Sequence, residues 1–314
     1  MKSLNKYIGS ILGLAVGDAL GMPVEFQPVD PSAPVRDMRP AVRFDSVAGE
    51  EIKLPAGAWT DDTSMALCLA DSILMSEEFS PEDQLSKYLN WFRAGYLSAI
   101  DKCFGIGPTV RAVLEEFESG NIDPGDLIAT TNGALMRVSP VGLAYCSDAV
   151  QAVELSGESS KTTHKSSESV DSCRYMGALL AGAVRGADKD ELLSPFFFPG
   201  SNEGYWDAMP LCPEIAEIAA GSFKTKKPPE INGANQASAT LEAALWAFYG
   251  SDDFAAGCTM AVMLGLDADT TAAVYGALAG AYYGADEIPS DWVSHVAHYD
   301  MLVDYAERLH AYSG

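Results

Sequence analysis

The stretch Gly265-Leu266-Asp267-Ala268-Asp269-Thr270-Thr271 leads directly into an apolar run, rich in glycine and alanine, that reaches Gly284. It places two carboxylates and two hydroxyls within five positions. Carboxylate and hydroxyl oxygens are the ligands that hard divalent cations such as Mg²⁺ and Mn²⁺ take in proteins, and a D-x-D-T step at a helix N-terminus supplies them compactly. The stretch therefore predicts a metal site at the start of a helix.

A second stretch, Trp59-Thr60-Asp61-Asp62-Thr63-Ser64, carries the same ligand types ahead of another apolar run. Taken alone it has a simpler interpretation, in which Thr60 is a helix N-cap and the two acids complement the positive end of the helix dipole. Because a matching cluster occurs at 267–270, we favour one shared metal site built from both stretches.

Glycines recur every four residues near both ends of the chain, at 9, 13, 17 and 21 and again at 276, 280 and 284. This spacing lines one face of a helix with no side chains and permits close backbone approach. Two such helices would bring Glu25 close to both acidic stretches. A secretory signal or membrane helix is the competing interpretation of the first run, but Asp18 and Glu25 interrupt the ~20-residue apolar window that a spanning helix needs.

Five motifs in this order resemble the ADP-ribosylglycohydrolases, which include dinitrogenase reductase-activating glycohydrolase and the ADP-ribosyl-acceptor hydrolases. The motifs are Gly13-Leu14-Ala15-Val16-Gly17-Asp18-Ala19-Leu20-Gly21 followed by Glu25, Thr60-Asp61-Asp62-Thr63, Asn132-Gly133-Ala134-Leu135-Met136-Arg137, Thr163-His164 and Asp267-Ala268-Asp269-Thr270. The resemblance spans most of the chain. It implies an all-α fold, as one domain over residues 1–314, with two bound Mg²⁺ or Mn²⁺ ions. It also implies an enzyme that cleaves the bond between ADP-ribose and an acceptor such as an arginine or serine side chain.

The same resemblance assigns roles to individual residues. The implied metal ligands are Thr60, Asp61, Asp62, Asp267, Asp269 and Thr270. The implied catalytic residues are Glu25, Asp61, Asp62 and Asp269, with Glu25 as a metal contact or a general acid/base. The implied ligand-binding residues are Gly105, Gly107, Asn132, Gly133, Ala134 and His164. From the residues alone, Asn132-Gly133-Ala134 is either an anion cradle of backbone N–H groups or a simple turn, and we expect Arg137 to fix this loop rather than touch phosphate.

Some positions depart from the family's pattern. Gly105-Ile106-Gly107-Pro108 stands where many members have Asp-x-Gly-Asn, and that aspartate is associated with reading an arginine acceptor. We therefore predict an acceptor other than arginine, and a shift toward arginine in Gly105→Asp with metal binding unaffected. Three further departures are Thr131, Leu266 and Asn235-Gln236, where glycine, glycine and Gly-Tyr are usual. The metal ligands are expected to be intact and the ligand-facing loops altered.

The net charge narrows the range of partners. With 20 Lys and Arg against 44 Asp and Glu, the chain carries −24 at pH 7. Affinity for nucleic-acid phosphates is built on Lys and Arg, so DNA and RNA are not expected partners, and no membrane partner is expected either. An anionic ADP-ribose ligand would need a local neutraliser, which bound metal ions would supply. Acidity that only keeps a cytoplasmic protein soluble is the alternative explanation.

The cysteines and the remaining segments complete the expected organisation. Six cysteines without a C-x-x-C pair indicate reduced thiols of a cytoplasmic protein, with neither a zinc site nor a disulfide framework. Two proline-rich excursions, at 27–58 and 194–232, interrupt the helices, the first with a short strand near 42–44. The polar segment 156–172 has the composition of a linker, although we place no domain boundary there. Further helices are predicted at 81–96, 108–120, 239–249 and 254–264.

Three functions remain open at this stage. The first is a metal-dependent hydrolase of ADP-ribosyl linkages. The second is a catalytically weak protein that binds or senses ADP-ribose. The third is a hydrolase or lyase of another nucleotide-ribose N-glycoside. Release of free ADP-ribose from a modified protein separates the first from the other two.

Overall fold

The computed structural model describes residues 3–45, 49–76, 78–200 and 204–314. Over these residues the protein is α-helical with one two-stranded antiparallel sheet. The helices are α1 Leu4–Gly21, α2 Asp61–Met75, α3 Pro81–Ala94, α4 Pro108–Glu118, α5 Ser139–Ala144, α6 Ala149–Lys161, α7 Ser167–Arg185, α8 Lys189–Leu192, α9 Tyr205–Ala208, α10 Pro213–Ala219, α11 Ala237–Tyr249, α12 Phe254–Val262, α13 Ala268–Tyr283, α14 Ser290–His295 and α15 Tyr299–Tyr312. The strands are β1 Ala41–Asp45 and β2 Glu50–Leu54. The predicted all-α class is confirmed, and the strand predicted near 42–44 lies in β1.

Helices α1 and α13 pack against each other, antiparallel, at the centre of the fold. Their glycines allow the two backbones to touch: a Cβ on Gly17 would overlap the carbonyl oxygen of Ala272, and a Cβ on Gly280 would overlap that of Gly9. At the end of α1, a Cβ on Gly21 would overlap the Cα of Asp269. The glycine repeat therefore brings the C-terminus of α1 against the N-terminus of α13, where the acidic motif lies.

The apolar first helix is a core element. Residues Leu4–Val24 are long and apolar enough to cross a membrane, the one such segment in the part of the chain that the structure describes, but 83% of this window is buried inside the protein. Side chains of α1 such as Leu14, Val16 and Leu20 belong to the main hydrophobic core. This burial is that of a central helix in a globular protein.

The segment 156–172 has the composition of a linker, but most of it is helical in the structure. It forms the end of α6, a turn at 162–166 and the start of α7, and five of its serines are buried: Ser156, Ser159, Ser160, Ser169 and Ser172. The Ser156 hydroxyl donates to the Ala152 carbonyl oxygen at 2.7 Å, and Ser172 donates to Glu168 in the same way at 2.8 Å. Because such bonds to the preceding turn satisfy the hydroxyls, a serine-rich helix can pack as closely as one built of alanine.

The other predicted helices are present, with ends that differ by a few residues. Helix α3 ends at Ala94 because Gly95 adopts a left-handed conformation, φ 69°, and α4 ends at Glu118. Helix α11 begins at Ala237, and α12 ends at Val262. The second excursion contains the short helices α9 and α10, while residues 46–48 and 201–203 of the two excursions lie outside the described residues.

Candidate metal centre and active site

Carboxylates from three elements converge where α2 and α13 begin and α1 ends. They belong to Asp18, Glu25, Asp61, Asp62, Asp267 and Asp269. Two sets of three have ligand oxygens within 4.8 Å of one another, Asp18 with Asp62 and Asp269, and Glu25 with Asp267 and Asp269. Asp269 belongs to both sets, so the arrangement is that of two adjoining oxygen-lined sites with one shared carboxylate.

The chemistry of Asp62 fits a divalent cation. The hydroxyls of Thr60 and Thr270 lie 3.0 and 3.4 Å from its Oδ2 and donate to it. Its Oδ1 is buried and has no hydrogen-bond partner among the described residues. A buried carboxylate oxygen without a donor is costly, and in an all-oxygen cluster a hard cation such as Mg²⁺ or Mn²⁺ would satisfy it.

Asp18 is a part of the site that the sequence analysis did not identify. Its buried carboxylate accepts hydrogen bonds from the Thr60 amide at 3.0 Å, the Thr63 amide at 3.1 Å and the Thr63 hydroxyl at 2.7 Å. Asp18 thus caps the first turn of α2. Thr60 occupies the N-cap position, as predicted, but makes no side-chain capping bond, since its hydroxyl binds Asp62. The sequence signal that could have identified Asp18 is its position as an isolated acidic residue within the apolar run of α1.

Burial and mutual repulsion raise the pKa values of these acids. Burial raises the pKa of Asp18 to about 6, although hydrogen bonds from Thr63 and Thr60 oppose this. Burial, together with the charge of Asp267, raises the pKa of Glu25 to about 7. The pKa values of the other four are raised as well, chiefly by burial. Full ionisation of the metal-free site is therefore unfavourable, and bound cations would relieve the repulsion among its carboxylates.

This repulsion predicts how the stability of the metal-free protein depends on pH. A carboxyl group with a raised pKa binds more protons folded than unfolded, so the free energy of unfolding falls as pH rises through the folded value. We expect the melting temperature in EDTA to fall from about pH 4, the unfolded pKa, through the values near 6 and 7. Saturating Mg²⁺ should remove most of this fall. Melting curves in EDTA and in Mg²⁺ check it, and a metal-free melting temperature that rises over this range would contradict it.

The carboxylates form one wall of the site, and the loop that begins at Thr131 forms the other. The Asn132 side-chain amide donates to Asp267 at 2.7 Å and to the Thr240 hydroxyl at 3.0 Å. The backbone at 233–237 ties this loop to the start of α13, since Asn132 N donates to Asn235 O and Asp267 N donates to Gly233 O. Asn132 therefore orients a metal-site carboxylate in addition to lining the cleft.

His164 lies behind this loop as a neutral, buried ring. Its Nε2 is 2.8 Å from the Thr131 hydroxyl, and its Nδ1 is 2.8 Å from the Thr163 hydroxyl. Burial, with the nearby Arg137 charge, lowers the pKa of His164 to about 3. Arg137 itself donates to the Gly133 carbonyl oxygen and the Thr163 hydroxyl, at 2.9 and 2.7 Å. Arg137 fixes the loop, and the His164 ring stays neutral near neutral pH, because its pKa lies well below that range.

Phe26 and Leu266 form an apolar rim beside the carboxylates, and both were absent from the predicted site. Each has a left-handed backbone, with φ 49° and 54°, and the Phe26 amide donates to the Leu266 carbonyl oxygen at 2.6 Å. Such conformations cost about 1–3 kcal/mol each outside glycine and gather at functional sites. Their side chains are 58% and 49% exposed. The bond between them holds Glu25 next to Asp267.

A cleft of about 260 Å³ opens between the two walls, close to the lower end of the ~300–1,000 Å³ of small-molecule sites. The predicted residues on its wall are Glu25, Asp61, Asp62, Gly105, Gly107, Asn132, Gly133, His164, Asp267, Asp269 and Thr270. Thr60 and Ala134 are buried behind this wall. Lining residues that were not predicted include Phe26, Ile106, Thr131 and Asn235.

Gly105 lies against Asp61, and this contact bears on the effect expected of Gly105→Asp. Its φ is 82°, and a Cβ there would lie 2.5 Å from Asp61 Oδ1. An aspartate at 105 would be strained and would set a second carboxylate against Asp61. We therefore expect Gly105→Asp to displace the carboxylate of Asp61, a predicted metal ligand, and so to affect metal binding as well as the acceptor.

Comparisons with known proteins agree with this geometry. A family model described as ADP-ribosylglycohydrolase matches residues 1–314. The chain is 34% identical to an ADP-ribosylarginine hydrolase Tri1 of Serratia proteamaculans (strain 568), covering 98% of this chain and 80% of that protein. It is 35% identical to a protein of the same name from Pseudomonas putida (strain GB-1), covering 98% and 78%. A solved structure titled ADP-ribosylglycohydrolase-related protein complex superposes with a TM-score of 0.82 at 37% identity, covering 99% of each chain.

Proposed function

Because this chain belongs to the ADP-ribosylglycohydrolase family, we propose that it is a metal-dependent hydrolase that releases ADP-ribose from an ADP-ribosylated protein, with residues 1–314 acting as one domain. The observation that carries the proposal is the pair of adjoining carboxylate sets that share Asp269 at the edge of a cleft. A binding protein would not need this concentration of buried acids, whose repulsion disfavours the metal-free fold.

The metal site would hold two divalent cations, Mg²⁺ or Mn²⁺. The residues that would hold them are Asp62, Asp267 and Asp269 of the two carboxylate sets and Asp61 on the cleft wall, with the hydroxyls of Thr60 and Thr270 and a contact from Glu25. Bound there, such ions would orient a ribose diol and lower the pKa of a water toward neutrality. The donor set contains oxygen only, which suits these ions and not zinc.

The protein's own groups would then place the substrate. Glu25 lies on the cleft wall beside Asp267 and is positioned to exchange a proton with the attacking water or the leaving acceptor. The hydrogen bond from Asn132 orients the Asp267 carboxylate. The Thr131–Gly133 backbone forms the wall opposite the carboxylates. His164 is neutral and paired at both nitrogens, so it would position this wall without acting as an acid or base.

We propose arginine as the first acceptor to test. Two relatives at 34% and 35% identity are named ADP-ribosylarginine hydrolase, which favours arginine over the different acceptor predicted from Gly105. The carboxylates on the cleft wall would attract a guanidinium leaving group. The prediction from Gly105 depended on the absence of one aspartate. In this protein a side chain at position 105 would meet the carboxylate of Asp61.

We expect the purified protein to release ADP-ribose only in the presence of Mg²⁺ or Mn²⁺. The substrate is a protein carrying ADP-ribose on arginine, and a second carries it on serine. Excess EDTA should stop release, and added Mg²⁺ should restore it. Full turnover in EDTA contradicts metal dependence, while tight binding of ADP-ribose without release from either substrate indicates a binding protein. A larger kcat/KM on the serine linkage supports the acceptor predicted from the sequence.

We also propose that the protein acts in the cytoplasm. The structure contains no disulfide bond among its six cysteines, all of which lie within the described residues, as expected of a reducing compartment. The partner would be an ADP-ribosylated protein rather than a nucleic acid or a membrane, since the net charge of −24 disfavours anionic surfaces.

A further inference from the structure

Arg137 is a fully buried cation whose contacts include no carboxylate. Its guanidinium donates to Gly133 O, Thr162 Oγ1 and Thr163 Oγ1, and it lies 4.6 Å from the Tyr88 ring centroid. No ion pair within 4.0 Å joins it to an acid of the described chain. A buried charge without a counter-ion is unfavourable. This side of the cleft therefore carries a buried positive charge that has no ion-pair partner among the described residues.

The hydrogen bonds that lead from Arg137 toward the cleft have a defined direction. A guanidinium only donates, so Thr163 Oγ1 accepts from it at 2.7 Å. Thr163 is buried, and the only other described hydrogen-bond partner of its hydroxyl is His164 Nδ1 at 2.8 Å. If Nδ1 carried a proton, the Thr163 hydroxyl hydrogen would be buried without an acceptor. Thr163 therefore donates to Nδ1.

The same donor-to-acceptor order continues from Thr163 through the His164 imidazole to Thr131. With Nδ1 as the acceptor, the single ring proton of neutral His164 lies on Nε2 and is donated to Thr131 Oγ1 at 2.8 Å. Thr131 lines the cleft, and its hydroxyl has no second partner in the described structure. Its own hydrogen is therefore free to point into the cleft.

We propose that Thr131 is a specificity-determining residue whose hydroxyl donates a hydrogen bond to a diphosphate oxygen of the substrate. The inference rests on the proposed function, because it requires an ADP-ribosyl ligand in this cleft. The diphosphate is the group it fits because its oxygens are the anionic acceptors of an ADP-ribosyl ligand, and the buried Arg137 charge lies behind the Thr131 donor. Arg137, Thr163 and His164 are positioning residues that set the direction of the donor.

This arrangement depends on a side chain that the family's motif usually lacks. A glycine at position 131 could not accept the Nε2 proton of His164, so the chain of hydrogen bonds would end at the imidazole. Threonine extends the chain by one donor and moves it to the cleft surface. The proposed diphosphate contact therefore depends on the Thr131 hydroxyl itself.

Calorimetric titration in Mg²⁺ with ADP-ribose and with ADP tests the contact, because both ligands contain the diphosphate and neither is consumed. The variants are Thr131→Val, which removes the hydroxyl at nearly constant shape, and Thr131→Ser, which keeps it. We expect Thr131→Val to weaken both ligands by roughly tenfold to a hundredfold, the range for a hydrogen bond to a charged group. Thr131→Ser should stay within about threefold of the wild type.

Two results of the titration would overturn the proposal. One is a Thr131→Val protein that binds both ligands within about threefold of the wild type. The other is a loss for ADP-ribose with none for ADP, which would assign the contact to the terminal ribose. Failure of the proposed function, seen as no ADP-ribose release from either protein substrate, leaves this comparison intact because free ligands are the probes.

The tautomer of His164 tests the direction of the chain independently of any ligand. Nitrogen NMR of the imidazole in the wild-type protein should show the proton on Nε2 and a bare Nδ1 across neutral pH. This measurement decides the point even if Thr131→Val fails to fold. A proton on Nδ1 would reverse the chain and overturn the inference.

Discussion

Asp269→Asn is expected to abolish turnover while the metal-free protein stays as stable as the wild type or becomes slightly more stable. Asp269 belongs to both carboxylate sets, so its loss weakens both halves of the metal site. Its pKa is raised by burial and by Glu25, Asp267 and other acids nearby. Removing the charge relieves that repulsion. Metal-ion catalysis contributes several kcal/mol, so kcat/KM should fall by roughly a hundredfold to a thousandfold or more.

Asp71→Asn is the matched control for that substitution. Asp71 is also buried, but it lies among Lys87, Tyr96 and Tyr305, at 2.7, 2.9 and 3.1 Å. Burial would raise its pKa, yet these hydrogen bonds outweigh burial and lower it. The control should lose about 1–3 kcal/mol of stability and keep its kcat. Kinetics and melting curves of both variants decide the matter: a large fall in the metal-free melting temperature of Asp269→Asn would show that Asp269 stabilises the fold rather than holding metal.

Gly17→Ala is expected to cause the largest loss of stability among single-methyl substitutions in α1. The new Cβ would overlap the backbone carbonyl group of Ala272 on α13. No side chain can rotate away, so the helices must separate, at a cost near or above the ~3 kcal/mol upper end for overpacking. This loss exceeds the ~1 kcal/mol that alanine gains over glycine in helix propensity. Because α1 carries Asp18 and α13 carries Asp269, affinity for Mg²⁺ should fall as well.

Gly107→Ala provides the stability control for Gly17→Ala. Gly107 has φ −69°, and a Cβ there would have no atom within 4 Å. Its melting temperature should equal that of the wild type or rise slightly, since alanine restricts the unfolded chain. Denaturant melts and Mg²⁺ titration of both variants check the pair. Equal melting temperatures for Gly17→Ala and the wild type would mean that α1 and α13 are not in backbone contact.

The local features of this protein could be read from its sequence. The oxygen-donor motifs at 60–63 and 267–270 identify their chemistry by residue type alone, and four-residue glycine spacing identifies a close helix contact whatever the partner. Helices such as α3 and α12 follow from apolar periodicity and turn residues. The helices and the close contact between α1 and α13 are confirmed, because each depends on residues close together in the chain, while the metal chemistry of the two motifs stays a prediction.

Composition alone did not predict the structure of segment 156–172, where the hydrogen-bond partners of buried side chains decide it. The serine-rich segment 156–172 has the composition of a linker, yet all of it except the turn at 162–166 is helical. Hydroxyls of Ser156 and Ser172 bond to carbonyl groups one turn earlier, and this lets the small residues pack. Satisfying buried polar groups locally makes such a sequence compatible with a core.

The tertiary structure alone decided which groups face one another. Asp18 caps a helix that begins 43 residues later (61 − 18), and only the packing of α1 against its neighbours aligns that carboxylate with the Thr60 and Thr63 amides. The position of Gly105 against Asp61, and the chain from Arg137 to Thr131, likewise join residues from separate segments. Hydrogen bonds and repulsion act over a few ångströms of space rather than along the chain, so residue types predicted the chemistry of this site, while the fold determined its direction and its neighbours.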